Sequence, residues 1–203
     1  QADDQRARGI SYTYSISADD RFVVFSSYGS NLVSNDTNNY DDIFLKDLAT
    51  GIISRISTNS NGVQANNYSV NPRISADCRF VVFESYASNL DSNETNDTPG
   101  LFFKDLATGM ISRISTNSFG NLINGKFYMP SIILDNRFVV FESDASNLAE
   151  RYYSIGSDIF KKDILTGAVT SLIRPNFNLS LNNYNNFYFG SLESIKTLKR
   201  LSF

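Results

Sequence analysis

Apolar positions in this chain fall in short runs, and the runs recur. Phe22-Val23-Val24-Phe25 is apolar at four consecutive positions, with Arg21 before it and Ser26-Ser27 after it. The same string, Arg-Phe-Val-Val-Phe, returns at Arg79–Phe83 and Arg137–Phe141, each copy 58 residues after the last. A strand with one wet face alternates apolar and polar, so an unbroken run predicts a strand covered on both faces. Four residues between turn signals are too few for a helix, and Val and Phe suit a strand.

The neighbouring pattern supplies three more strands. One approaches Ser17-Ala18-Asp19-Asp20, where a tight turn leads into the apolar strand, Arg21–Ser26. A long polar loop, Ser27–Asp41, precedes a third strand at Asp42–Leu48. Ala49-Thr50-Gly51 is a short hairpin connection, and Ile52–Thr58 is the fourth strand, alternating in Ile-Ile-Ser-Arg-Ile-Ser. Ile16–Gly62 matches Ile74–Gly120 at 34 of 47 positions without a gap, so duplication is secure. Lys46-Asp47-Leu48-Ala49-Thr50-Gly51 recurs intact at Lys104–Gly109 and in altered form at Lys162–Gly167. Four antiparallel strands per repeat predict an all-β propeller segment, an open arc of three blades. The expected units are residues 10–67, 68–125 and 126–183 of one domain spanning 1–203. Propeller repeats commonly run about 40–45 residues, and the excess sits in the Ser27–Asp41 loop, as decoration at one end of the blade.

A fourth unit begins in phase at Asn182-Asn183-Tyr184 but reads Ile195-Lys196-Thr197-Leu198-Lys199 where Arg-Phe-Val-Val-Phe is due. Residues 184–203 are therefore expected to be a degenerate remnant or a frayed tail, and a frameshift near residue 185 is one account of it. Closed propellers use about 4–8 blades, so the chain is expected to complete a larger ring or to self-associate through exposed blade edges.

Composition narrows the chemistry. The chain has no histidine, which removes the usual general base, Ser-His-Asp and Cys-His catalysis and the commonest zinc sites. Cys78 is the single cysteine, so no internal disulfide forms. A net charge of −3 without a basic stripe argues against nucleic acid; Lys196, Lys199 and Arg200 read as a solvated tail. No apolar run approaches the roughly 20 residues that span a bilayer.

With the blade placed, Ile16-Ser17-Ala18-Asp19-Asp20-Arg21-Phe22-Val23-Val24-Phe25-Ser26-Ser27 resembles the signature of WD40-like (PD40) repeats found in TolB-type propellers of exported bacterial proteins. Asp42-Ile43-Phe44-Leu45-Lys46-Asp47-Leu48 is similar to that family's third strand. Ser30-Asn31-Leu32 with Asp36-Thr37-Asn38 resembles the insert of a bacterial subgroup. The resemblance covers about residues 10–173. It implies a rigid display scaffold in an extracellular, periplasmic or cell-surface setting. The family's turn glycine is Asp20, Cys78 and Asn136 here; Cys tolerates a left-handed backbone poorly, so the second turn is expected to be strained or reshaped. Ile133-Leu134 replaces Ser-Ala in the third copy and weakens its turn.

Asp36, Asn38, the Tyr40 carbonyl and Asp42 place oxygens at alternate positions, a pattern that suits calcium. The same residues serve Asx-turns equally well. The second copy keeps Glu94 and Asn96 but has Gly100; the third has Tyr152 and Ser154 and keeps Asp158. Calcium is thus a candidate for the first loop, and no other cofactor is expected. Asp19, Asp77 and Asp135, and likewise Asp47, Asp105 and Asp163, recur at turns and read as turn caps, being too far apart around an arc to share a proton. Arg55 and Arg113, matched by Ser171 in the third copy, are expected to pair with acids on an outer face. Tyr12, Tyr14, Tyr28, Tyr40, Tyr68 and Tyr86 are expected to pack between blades, with a contact rim as the alternative. The function expected is a non-enzymatic binding scaffold for a protein or surface glycan; a fragment of a propeller glycosidase, lyase or peptidase, and a structural module of a cell-surface protein, are the alternatives.

Overall fold

The computed structural model describes residues 9–91, 99–133, 135–148 and 156–173. These contain three four-stranded antiparallel sheets and no helix. The first comprises β1 (Ser11–Ile16), β2 (Phe22–Ser27), β3 (Asp42–Asp47) and β4 (Ile53–Arg55) in sequence order. The second repeats it as β5 (Ser69–Ile74), β6 (Phe80–Ser85), β7 (Gly100–Asp105) and β8 (Ile111–Arg113). The third follows as β9 (Phe127–Ile133), β10 (Phe138–Ser143), β11 (Asp158–Asp163) and β12 (Val169–Ser171). The fold is an all-β open arc of propeller blades, and no sheet closes. The outer strand is shorter than its apolar pattern suggests, because the chain past Arg55 leaves the ladder for a small hairpin bridged at Thr58–Gln64. Residues 184–203, Glu94, Asn96, Leu134, Tyr152 and Ser154 lie outside the described residues.

The apolar run behaves as its unbroken pattern requires. In the middle sheet Val81 and Phe83 pack toward the first sheet, with Val24, Ile43, Ile56 and Ile74 in one core. Val82 and Phe80 point the opposite way, into a second core with Val139, Phe141 and Phe160 of the third sheet. Adjacent residues of one strand thus anchor two interfaces, and each fully buried Val or Phe contributes roughly 1.5–3 kcal/mol. On the outward side of the first sheet, Val23 and Phe25 are only half-buried.

A polar staple crosses each interface. Lys104 on β7 is buried, and its Nζ donates to the Thr58 carbonyl at 2.8 Å and to the Thr58 hydroxyl and Asn59 carbonyl at 3.2 Å. Lys162 on β11 repeats this against Thr116, at 2.7 Å to the carbonyl and 2.8 Å to the hydroxyl. Burial lowers both ammonium pKa values, that of Lys162 to about 8. The partnering carbonyls keep each charge tolerable inside the protein.

The turn end of each blade is a repeated fixture. Arg21 reaches Asp47 through Nε and Nη2, and Arg79–Asp105 and Arg137–Asp163 do the same. Each guanidinium also lies over the ring that follows it, Phe22, Phe80 or Phe138. The Asp47 carboxylate accepts the Ala49 and Thr50 amides and so caps the hairpin. Its pKa falls to about 2, chiefly because Arg21 donates to it.

The second turn is not reshaped. Cys78 has φ 63°, beside 56° for Asp20 and 61° for Asn136, so a thiol side chain occupies the left-handed position that glycine would favour. The fold keeps it because the backbone ladder on either side is the same as in the first unit. Here Ser75 Oγ donates to Asp77, and Asp77 accepts the Arg79 amide, as Ser17 and Asp19 do for Arg21. In the third unit Ile133 has no hydroxyl to give; Asn136 donates to Asp77 of the preceding turn, as Cys78 Sγ does to Asp19.

Candidate functional site at the loop end of the first unit

The long loop and the outer hairpin meet at the opposite end of the blade from the Arg–Asp fixtures. There Asp36, Asn38 and Asp42 converge with Arg55, Ser57 and Gln64. Asp42 opens β3 and is fully buried; it accepts Ser57 Oγ at 2.5 Å, Gln64 Nε2 at 2.8 Å and Asn38 Nδ2 at 3.1 Å. Desolvation raises its pKa, with Ser57, Gln64 and Arg55 opposing the rise. Gln64 Nε2 also donates to Asp36 at 2.8 Å, while its Oε1 accepts the Thr37 amide and hydroxyl. One glutamine therefore bridges both carboxylates and fastens the loop to the hairpin.

The sequence-derived calcium set is brought only partly together. Asn38 forms an Asx-turn, its Oδ1 accepting the Tyr40 amide at 2.9 Å, and its Nδ2 spans Asp42 and the Ala65 carbonyl. The Tyr40 ring lies edge-on against Tyr68 of the next unit at 4.6 Å. Among the described residues no three His, Cys, Asp or Glu side chains are grouped to hold a metal ion.

The cation between the carboxylates is Arg55, and its position corrects the outer-face expectation. Its side chain is 10% exposed, with Nη2 3.8 Å from Asp36 and Nε 3.6 Å from Asp42. Neither nitrogen has a hydrogen-bond partner. The second unit explains this. There Arg113 Nε donates to Ser115 Oγ at 2.9 Å and Nη2 to the Pro99 carbonyl at 3.1 Å, with the guanidinium over Phe102. That pose needs Gly100: a Cβ built there would lie 2.6 Å from the Phe102 ring and 3.1 Å from the Arg113 guanidinium carbon. The first unit has Asp42 at that position. Its carboxylate takes the Ser57 hydroxyl and crowds the place above Phe44, so the guanidinium turns aside. It lines an open cleft of about 410 Å³ with Val33, Ser34, Asn35, Thr58, Gly62 and Gln64.

The tyrosines also depart from expectation. Tyr12, Tyr14, Tyr28, Tyr68 and Tyr86 are exposed, and among the six only Tyr40 and Tyr68 pack ring to ring across a unit boundary. Gln64 and the burial of Arg55 escaped sequence reasoning. Gln64 aligns with Leu122, and Asp42 with Gly100, in stretches where the two units diverge, so the duplication did not single them out.

No family model and no curated protein matches the chain. Solved structures do. TolB from Acinetobacter baumannii is similar at TM-score 0.52 and 20% identity, over 82% of this chain and 33% of its own. The chain has a propeller fold of the TolB type. Oligogalacturonate lyase from Vibrio parahaemolyticus aligns at TM-score 0.53 and 13% identity, covering 85% of this chain and 43% of that one. An acylaminoacyl peptidase from Pyrococcus horikoshii aligns at TM-score 0.50 and 14% identity, covering 83% and 25%. The chain thus spans less than half of each of these three proteins, and at these identities the likeness is one of fold.

Proposed function

We propose that this chain is a non-catalytic binding scaffold that presents its loop end to a protein or a surface glycan, in a periplasmic, extracellular or cell-surface setting. One observation carries the reading. The turn end is the same Arg–Asp–Phe fixture in all three units, whereas among the described residues the loop end pairs Asp42 with Arg55 in the first unit, where the second has Gly100 with Arg113 and the third Asp158 with Ser171. Repeated chemistry serves the fold, and chemistry confined to one unit is free to serve a ligand. Among the described residues no helix is long and apolar enough to cross a membrane. The half-buried outward faces of the first and third sheets make self-association a further part of the proposal.

The test is a binding screen of the full chain against glycan and protein arrays, with two variants. Replacing Ser30–Asn35 by a Gly-Ser linker is expected to abolish binding, while Leu165→Ser at the turn end leaves it intact. The reverse ranking refutes the reading. The similarity to a lyase and a peptidase favours a propeller-enzyme fragment as second reading, and turnover of a bound glycan or peptide would establish it.

A further inference from the structure

From its two end faces we infer that a second copy of this chain docks head-to-tail, the outward face of its third sheet against the outward face of the first sheet. Two such contacts join three blades to three in one closed ring. The inference rests on the scaffold reading and specifies its self-association. Both faces repeat a boundary that the chain already builds twice. Cross-strand pairing sets Ile16, Val23 and Lys46 side by side, as it sets Ile74, Val81 and Lys104 in the second sheet. In the second sheet all three are buried at the boundary with the first. In the first sheet Ile16 is 51% exposed, and Val23 and Lys46 are half-buried. The opposite side matches: Val82, Leu101 and Ile114 are buried in the core shared with the third sheet, whereas their counterparts Val140, Ile159 and Leu172 are only half-buried. Covering both sets removes apolar surface from water, and each set is one half of an interface the fold already makes.

Two polar features give the contact its direction. Lys104 and Lys162 each donate to a main-chain carbonyl across their boundary. Lys46 stands at the same place in the first sheet and, among the described residues, meets no such acceptor. The second feature is charge. At the first boundary Phe22 and Leu45 pack in one core with Cys78 and Leu106. At the outer faces Lys161 takes the place of Leu45, and Asp20 that of Cys78. The Lys161 ammonium lies 4.8 Å over the Phe138 ring, the counterpart of Phe22, and so leans toward the turn end where Asp20 of a docked copy arrives. Asp135 is the other charge at that corner, because Asp77 in its place is met across the second boundary by Asn136. Lys161 therefore answers two carboxylates, and an opposed pair replaces an apolar one only where the ends meet. Two first sheets set face to face would leave Lys161 and the apolar side of the third sheet uncovered. A head-to-tail contact closes into a ring when its rotation fits, and two copies supply a blade number inside the range of about 4–8 for closed propellers.

Sedimentation velocity of the full chain reads the assembly. The parent is expected at twice the chain mass, with a Kd of about 1–10 μM. Val23→Asp and Val140→Asp, each checked for the parent's β circular dichroism, are expected to be monomers, because either change damages both contacts of the ring. An equimolar mixture of the two retains one intact pair of faces and is expected to recover a dimer, about ten-fold or more weaker than the parent. Lys46→Met and Lys161→Glu, at partly exposed positions, are expected to weaken the parent dimer by about ten-fold and about three-fold. A parent that stays monomeric at roughly 100 μM overturns the inference. So do species larger than a dimer, a dimer that only one of the two Asp variants dissociates, or a mixture that remains monomeric. Should either Asp variant lose its β spectrum, Lys46→Met and Lys161→Glu carry the test, and parent-strength dimers from both overturn it. Loop-end binding by a monomeric parent would sink this inference and leave the scaffold reading standing; a head-to-tail dimer that binds neither glycan nor protein would do the reverse.

Discussion

Lys162 offers a quantitative check on how the blades are joined. The residue is 4% exposed, and its ammonium is bonded to the carbonyl and hydroxyl of Thr116 and, at 3.4 Å, to the Gly167 carbonyl. Lys162→Met keeps most of the hydrocarbon stem and removes the charge. Near pH 7 two effects oppose: lost hydrogen bonds to a charged donor cost roughly 1.5–3 kcal/mol, and relief from burying the ammonium returns a similar amount. The discriminating quantity is the pH dependence. The folded pKa is depressed from 10.5 to about 8. Between those values the unfolded chain holds more protons than the folded one, so stability rises with pH. At 1.36 kcal/mol per pH unit the parent gains at most about 3 kcal/mol from pH 8 to 10.5 through this group, and the Met variant gains nothing by it. Urea unfolding of both proteins at intervals from pH 7 to 10.5 reads the difference directly, because tyrosine titration is common to both and cancels. A difference that stays flat with pH would refute a buried Lys162 and, with it, the staple between the second and third blades.

The turn-end ion pairs act at the other extreme. The Asp47 and Asp163 carboxyls are held at about 2 by Arg21 and Arg137, so their stabilisation is full above about pH 4 and is lost as pH falls through 2; Arg137→Met should flatten the acid limb of the unfolding curve. Cys78→Gly relieves a left-handed residue and should raise unfolding free energy by about 1 kcal/mol, read as a higher Tm; a lower Tm would contradict the strain. Val82→Ala should cost about 2 kcal/mol and Val23→Ala less than half as much, because one side chain is wholly enclosed and the other only half-buried; equal losses by chemical denaturation would contradict the assignment of faces.

Much of the architecture was legible because it is periodic. The interval between the Phe-Val-Val-Phe runs, the turn residues and the long loops follow from local pattern, and a run apolar at every position can be satisfied only by cover on both faces. The capping of turns by Asp19, Asp77 and Asp47 was equally legible, since a carboxylate two residues from the amide it accepts is a local matter. Short-range physics of this kind survives any tertiary arrangement.

What only the tertiary structure decided concerns groups brought together from distant positions. Arg55 read as an outer-face residue paired with nearby acids. Burial came from the long loop folding back over that side, fastened by Gln64 from beyond the strand. The contrast between Arg55 and Arg113 turns on one position, Asp42 against Gly100, through a steric contact that no spacing rule contains. The Lys104 and Lys162 staples likewise join residues 46 apart, across a boundary where the chain alone shows only a repeated lysine. Sequence period determined the blades and the order in which they stack. The fate of each charge was settled by which neighbour reached it first, and the enclosed, unpartnered nitrogens of Arg55 arise there.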